Sequence, residues 1–111
     1  MENAVSNSVE IIRYTIAADQ QLAFEQSYAQ AAIHLLASPY CRGYQLIHGV
    51  EEAANYIVII QWTSVDEHLN GFRKSEEFGL FFRLVKPFFT NIQEMKHYTR
   101  IPGDWKKSDF T

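Results

Sequence analysis

The sequence contains a single cysteine, Cys41, which excludes an intrachain disulfide and a zinc site built from cysteines. No apolar run approaches the roughly 20 residues that a membrane-spanning helix needs, and residues 1–8 lack the apolar core of a signal peptide. Basic residues never occur more than two in a row and the net charge is −3, which argues against nucleic-acid binding. We therefore expect a cytoplasmic protein that binds neither membranes nor nucleic acids.

Apolar and aromatic residues, by contrast, are abundant. Hydrophobic residues make up 47% of the 111 residues and aromatic residues 14%, with eight Phe, six Tyr and two Trp. This content excludes a disordered chain, and the length fits one domain. It is also rich for a small monomer, so we expect a lined pocket, a subunit interface, or both.

Four segments rich in β-branched and aromatic residues predict β-strands at 9–16, 43–50, 56–63 and 92–101. Helical segments separate the first strand from the second and the third from the fourth. The order strand, helix, strand, strand, helix, strand predicts an α+β fold of the ferredoxin-like βαββαβ type, with a four-stranded antiparallel sheet. The domain is expected to span residues 9–101, between a flexible leader (1–8) and a C-terminal tail (102–111).

Capping residues and prolines predict where the helices begin and end. The first helix is expected from 20 to 37, with Asp19 as its N-cap and Pro39 ending it. The second helical region starts at the capping box of Ser64 and Glu67, breaks near residue 71, and resumes after a cap at Ser75. Proline 87 is expected to end it.

The third predicted strand is apolar on both faces. Tyr56, Val58, Ile60 and Trp62 alternate with a second apolar set that includes Ile57 and Ile59. In this topology the helices cover only one face of the sheet, because both crossovers pass on the same side. The other face is expected to pack against a second copy of the chain, which predicts a homodimer with sheet-to-sheet packing.

Several short motifs resemble the antibiotic biosynthesis monooxygenase domain, a family of the dimeric α+β barrel superfamily. The first is Gln61-Trp62 at the end of a strand, followed by the helix start at 66–68. The others are FRKSEEF at 72–78, KPF at 86–88 and the closing strand with MKHY at 95–98. The likeness covers about residues 8 to 100.

The resemblance implies a pocket between the sheet and the helices, with Trp62 at the position of a tryptophan that several members place there. It also implies an oxygenase that needs no metal, flavin or other cofactor and acts on a small aromatic or quinol-like substrate. A non-enzymatic dimer that binds a small apolar ligand remains an alternative. A haem-degrading protein is a weaker one, because Phe82 stands where that branch has its haem-ligating histidine and Ile12 or Arg13 where it has an asparagine.

The candidate catalytic residues are Trp62 and His68. Trp62 ends a strand at the pocket rim, where it could stack on an aromatic substrate or simply pack the core. His68 follows one turn into the capped helix and is a candidate base, since one positioned base suffices to deprotonate a phenol or quinol. A structural or surface histidine is the alternative. The candidate substrate-binding residues are Tyr14, Tyr28, Phe78, Phe82 and His97.

The chain shows no metal-ligand spacing. His68 has no second histidine one helical turn away, so no metal site is predicted. Cys41 has no base beside it in the sequence, which argues against a nucleophilic role.

Overall fold

The computed structural model describes residues 7–110, and side chains as far as residue 108. Short 3-10 helices connect several of its seven main elements. These elements are β1 (Ser8–Thr15), α1 (Gln21–Leu36), β2 (Cys41–His48), β3 (Asn55–Trp62), α2 (Val65–Asn70), α3 (Glu76–Val85) and β4 (Ile92–Thr99).

The four strands form one antiparallel sheet in the order β2-β3-β1-β4, which confirms the predicted ferredoxin-like α+β architecture. β1 lies in the middle of the sheet between β3 and β4. Its residue Glu10 is directly opposite Ile60 on β3 and His97 on β4. These register positions determine which strand residues meet on the same face.

The two predicted serine caps are confirmed, whereas Asp19 does not cap α1. The Oγ atoms of Ser64 and Ser75 accept hydrogen bonds from backbone amides three residues later, at 2.9 and 3.2 Å. Asp19 lies inside a 3-10 turn, Ala18–Gln20, in which the Ala17 carbonyl accepts the Gln20 amide hydrogen. This turn delays α1 to Gln21, beyond the reach of an Asp19 cap.

Most strand and helix ends agree with the predicted ends within two residues. β1 starts at Ser8, so this residue of the predicted leader is part of the sheet, and residues 1–6 lie outside the described part of the chain. α3 ends at Val85, just before Pro87, as expected, and the chain then continues as a 3-10 helix, Lys86–Asn91. Proline is tolerated there because the first turn of a helix does not need its amide hydrogen.

The core lies between one face of the sheet and the helices. α1 turns its buried stripe of Phe24, Tyr28, Ala31 and Leu35 toward this face, and every second residue of β3 from Tyr56 to Trp62 is buried there. Burying each large side chain contributes about 1.5–3 kcal/mol. None of the helices in the described part of the chain is long and apolar enough to cross a bilayer.

The opposite face of the sheet stays uncovered by this chain. Alternation along the strands places Val9, Ile11, Ile57 and Ile59 there, each half-buried by its neighbours, together with the more exposed Ile47. We call these five residues the open face. A second exposed apolar strip lies on α1 and consists of Leu22, Ile33 and Leu36.

Candidate active site

A cavity of about 320 Å³ lies between the covered face of the sheet and the second helical region. Strands β1, β3 and β4 form its floor, and α2, α3 and the turns beside them form its roof. Most of the side chains around it are apolar or aromatic. They are Ile12, Tyr14, Tyr28, Ile60, Trp62, Phe72, Phe78, Phe81, Phe82, Val85, Phe89, Ile92 and Met95, together with the polar residues Glu10, His68 and Arg73.

The roof follows from the helical spacing of α3. Phe78, Phe81, Phe82 and Val85 fall at positions i, i+3, i+4 and i+7, so they share one face of the helix and point toward the sheet. Gly71 separates α2 from α3, and a Cβ atom there would lie only 2.8 Å from the Tyr40 ring. Because the helix is interrupted here, α2 and α3 form two separate parts of the cavity wall.

A buried polar cluster closes one end of the cavity. Glu10 and His68 are each only 3% exposed, and Trp62 only 1%. The indole Nε1 of Trp62 donates a hydrogen bond to Oε1 of Glu10 at 3.0 Å, and His68 Nε2 lies 3.6 Å from the same oxygen. The rings of Trp62 and His68 stack with centroids 4.0 Å apart, which fixes the plane of the imidazole.

His97 on β4 extends this cluster. Its Nε2 lies 2.8 Å from Nδ1 of His68, so one of these two nitrogens carries the hydrogen and the other accepts it. His97 is only half-buried, whereas His68 is buried. The two imidazoles therefore form a path from the cavity toward the solvent.

Burial controls the protonation of this cluster. Desolvation, helped by the charge of Arg73 and by His97, lowers the pKa of His68 to about 3, and desolvation also lowers the pKa of His97. Desolvation raises the pKa of Glu10, although the Trp62 hydrogen bond and Arg73 oppose that shift. At neutral pH both imidazoles are uncharged, and each keeps one nitrogen lone pair.

Two tyrosine hydroxyls lie elsewhere in the cavity wall. The hydroxyl oxygens of Tyr14 and Tyr28 are 2.5 Å apart, and both side chains are buried. Burial raises the pKa of Tyr14 to about 12 and that of Tyr28 well above its usual value, so both stay protonated. Because only one proton lies between the two oxygens, the accepting hydroxyl keeps its own proton to donate to a ligand.

The structure brings nearly all of the candidate residues to this cavity. Six of them lie in its wall: Trp62, His68, Tyr14, Tyr28, Phe78 and Phe82. The seventh, His97, reaches the cavity through its contact with His68. Their roles in binding or catalysis stay predictions.

Arg13 and Tyr98 lie on the side of the sheet opposite the cavity. Arg13 points to the opposite side of the sheet, where its Nε donates to Glu94 at 2.8 Å. Tyr98 lies on that side as well and also hydrogen-bonds Glu94. Of Tyr14 on β1 and Tyr98 on β4, only Tyr14 lies in the cavity wall.

Sequence reasoning missed Glu10 and Arg73. Glu10 is the one acidic residue at an inward-facing position of β1, in alternation with Ile12 and Tyr14. That alternation was a usable signal, because a carboxylate on the apolar face of a strand needs a partner or a function. Arg73 gave no comparable signal, since it lies in a short exposed turn.

The fold also assembles a set of metal-ligating groups that chain spacing could not reveal. Glu10, His68 and His97 each offer a ligand atom, and these atoms lie within 4.8 Å of one another. The three residues come from β1, α2 and β4, so no short sequence motif contains them.

Comparison with known proteins shows which family the chain belongs to. The family model of the antibiotic biosynthesis monooxygenases matches residues 8–84, more than half of the chain. The chain belongs to the antibiotic biosynthesis monooxygenase family. The match contains β1, β3, α2 and most of α3, and therefore most of the cavity wall.

Individual relatives are distant. The uncharacterised protein YczJ of Bacillus subtilis is 27% identical over 75 residues, which cover 68% of this chain and 79% of YczJ. An antibiotic biosynthesis monooxygenase-type structure from Bordetella bronchiseptica superimposes with a TM-score of 0.72 at 23% identity, covering 87% of this chain and 99% of that one.

The fold is also similar to that of SnoaB, a cofactor-independent oxygenase from Streptomyces nogalater. The TM-score is 0.67 at 14% identity, with 93% of this chain and 99% of SnoaB covered. At this identity the likeness shows the fold alone.

Proposed function

We propose that this chain is a cofactor-independent monooxygenase whose substrate is a small aromatic or quinol-like molecule. The observation that carries the proposal is an aromatic-walled cavity with one buried imidazole, His68, held against Trp62 at its end. Membership of the family and the likeness to SnoaB support the same reaction type. The apolar walls suit an aromatic ring system.

In the proposed reaction the substrate itself supplies the electrons. A base removes a proton from an acidic C–H or O–H group, and the resulting electron-rich anion is oxidised by O₂. For an anthrone-type substrate, the reacting CH₂ group becomes C=O and loses four electrons. One oxygen atom of O₂ enters the product, and the other leaves as water. The protein then needs to supply only a positioned base and a site that excludes water.

The histidines, the tyrosine pair and Glu10 each have a place in this scheme. The lone pair of His68 accepts the proton, and its contact with His97 leads that proton toward the solvent. The Tyr14–Tyr28 pair donates one hydrogen bond to a substrate oxygen. Glu10 fixes the orientation of Trp62 through the indole hydrogen bond.

The same proposal includes a homodimer formed through the open faces of two sheets. The open face contains five aliphatic side chains on β1, β2 and β3, and polar residues such as Gln45 and Lys96 lie beside them. Packing two such faces removes this apolar surface from water at about 25 cal/mol per Å².

Oxygen uptake tests the catalytic part of the proposal. With an anthrone or a quinol as substrate, we expect consumption of O₂ in a protein free of metal and flavin. We expect His68→Ala to lower kcat by about 100-fold or more, because a positioned base contributes roughly that factor. Trp62→Phe should lower the rate less, since it keeps an aromatic ring but loses the hydrogen bond to Glu10.

The matched control is His34→Ala. His34 lies on α1, where its Nδ1 contacts Glu77 at 3.1 Å, and it is absent from the cavity wall. Unchanged turnover in both cavity variants would contradict the assigned roles. If aromatic ligands raise the melting temperature and no compound tested consumes oxygen, a non-enzymatic binding protein is the better description.

A further inference from the structure

We infer that Glu10, His68 and His97 form a binding site for one divalent transition-metal ion of the zinc type. Two imidazole nitrogens and one carboxylate are a ligand set that such ions use with an open position for water. The inference goes beyond the proposed oxygenase reaction, which uses no metal.

The backbone already holds the three ligands in place. Glu10 and His97 are directly opposite each other on β1 and β4, and both belong to the regular part of the sheet. His68 lies on α2, whose N-terminus is capped by Ser64. The site therefore rests on three ordered elements, which is the condition for a preformed metal site.

The distances are close to those that a metal ion requires. Around a zinc ion with ligands at 2.0–2.1 Å, tetrahedrally placed ligand atoms lie about 3.3 Å apart. Nδ1 of His68 lies 2.8 Å from Nε2 of His97, whereas the other ring nitrogen of His68, Nε2, lies 3.6 Å from Oε1 of Glu10. One ion takes a single nitrogen from His68. One ligand atom from each of the three residues lies within 4.8 Å of the others, so these atoms have to approach one another by up to about 1.5 Å around an ion.

The surroundings of the cluster support this assignment. The Trp62 indole donates to Glu10 Oε1, as groups around metal sites do when they orient a carboxylate ligand. The adjoining cavity, which Glu10 and His68 line, provides room for a water molecule in a fourth position. Arg73 also places a positive charge near the cluster, the charge that helps to lower the pKa of His68, and this charge opposes the binding of a cation.

A bound ion and proton transfer compete for the same residue. An ion on His68 uses an imidazole lone pair, which is the group that accepts the proton in the proposed reaction. The ion is thus expected to act as an inhibitor of turnover rather than as a cofactor.

Metal titration of the tag-free protein, stripped with EDTA and then freed of the chelator, tests the inference without any substrate. We expect Zn²⁺ to bind with one ion per chain in isothermal titration calorimetry, and Mg²⁺ or Ca²⁺ not to compete, because imidazole ligands do not suit them. His97→Gln and Glu10→Gln should each weaken Zn²⁺ binding at least tenfold. The control His34→Gln removes a histidine that is paired with a carboxylate outside the cluster, and should leave binding unchanged.

Co²⁺ gives a second readout that needs no variant. A Co²⁺ ion held by two imidazoles and a carboxylate in a four- or five-coordinate site absorbs visible light far more strongly than the hexa-aqua ion. The absence of saturable Zn²⁺ binding, or a Co²⁺ spectrum like that of the aqueous ion, would overturn the inference. Equal losses in His34→Gln and His97→Gln would also overturn it. Because no substrate is present, a failure of the oxygenase proposal leaves these results unaffected.

Discussion

At the scale of single residues, the cavity combines an apolar wall with a small number of polar groups that depend on one another. Glu10 accepts the Trp62 indole hydrogen, Trp62 stacks on His68, and His68 contacts His97. A change at any member alters the environment of the next. Coupling of this kind is best measured with paired variants rather than single ones.

The Tyr14–Tyr28 pair offers such a measurement. Removing either hydroxyl with Tyr14→Phe or Tyr28→Phe leaves the other without its partner in a buried site. We expect each single variant to lose about 1–2 kcal/mol of unfolding free energy. The double variant should lose less than the sum of the two, because neither hydroxyl then remains unpaired. Urea denaturation measures all three, and strictly additive losses would show that the hydroxyls do not interact.

At the scale of elements, the short helix α2 is the part of the fold on which the site depends most. It has only six residues, too few to be stable without its cap and its packing. Within those six residues lies His68, so the order of α2 decides how well the imidazole is positioned. The Ser64 cap and the stacking of His68 against Trp62 are two of the interactions that hold it.

Substitution of Ser64 tests that dependence. Ser64→Ala removes the acceptor for the Glu67 amide, and we expect it to lower the unfolding free energy by about 1 kcal/mol. Ser64→Asp supplies another good N-cap acceptor and serves as the matched control. Hydrogen exchange should show faster exchange of α2 amides in Ser64→Ala only. Equal exchange in both variants would mean that packing alone orders α2.

At the scale of the whole molecule, the sheet has two apolar faces and one layer of helices. The chain covers the face that carries the cavity and leaves the other to a partner in the proposed dimer. The proposed dimer does not cover the exposed strip on α1, which consists of Leu22, Ile33 and Leu36. The open face therefore gives the sharpest test of assembly.

We expect the protein to sediment as a dimer at micromolar concentration, and Ile59→Lys on the open face to convert it to a monomer, because a buried unpaired ammonium is costly. Leu36→Lys is the matched control, since Leu36 is 86% exposed on α1, away from the sheet face. Analytical ultracentrifugation distinguishes the outcomes. A wild-type protein that stays monomeric and well folded would exclude the sheet-to-sheet dimer.

Sequence patterns were sufficient for the order of the elements and for the serine caps, because each depends on residues near one another in the chain. The alternation of β3 likewise identified two apolar faces. The Asp19 cap was wrong, because a 3-10 turn at Ala18–Gln20 takes up the residues that the pattern assigned to the helix start.

Only the tertiary structure shows which polar residues come together at the cavity. Glu10, His68 and His97 are far apart in the sequence, and only the register of β1 with β4 and the placement of α2 over the sheet bring their polar atoms together. Tertiary structure also decides which of Arg13 and Tyr14 faces the helices, because alternation along β1 shows only that the two residues face opposite sides of the sheet. Local patterns encode elements and their faces, whereas contacts between distant segments exist only after the chain has folded.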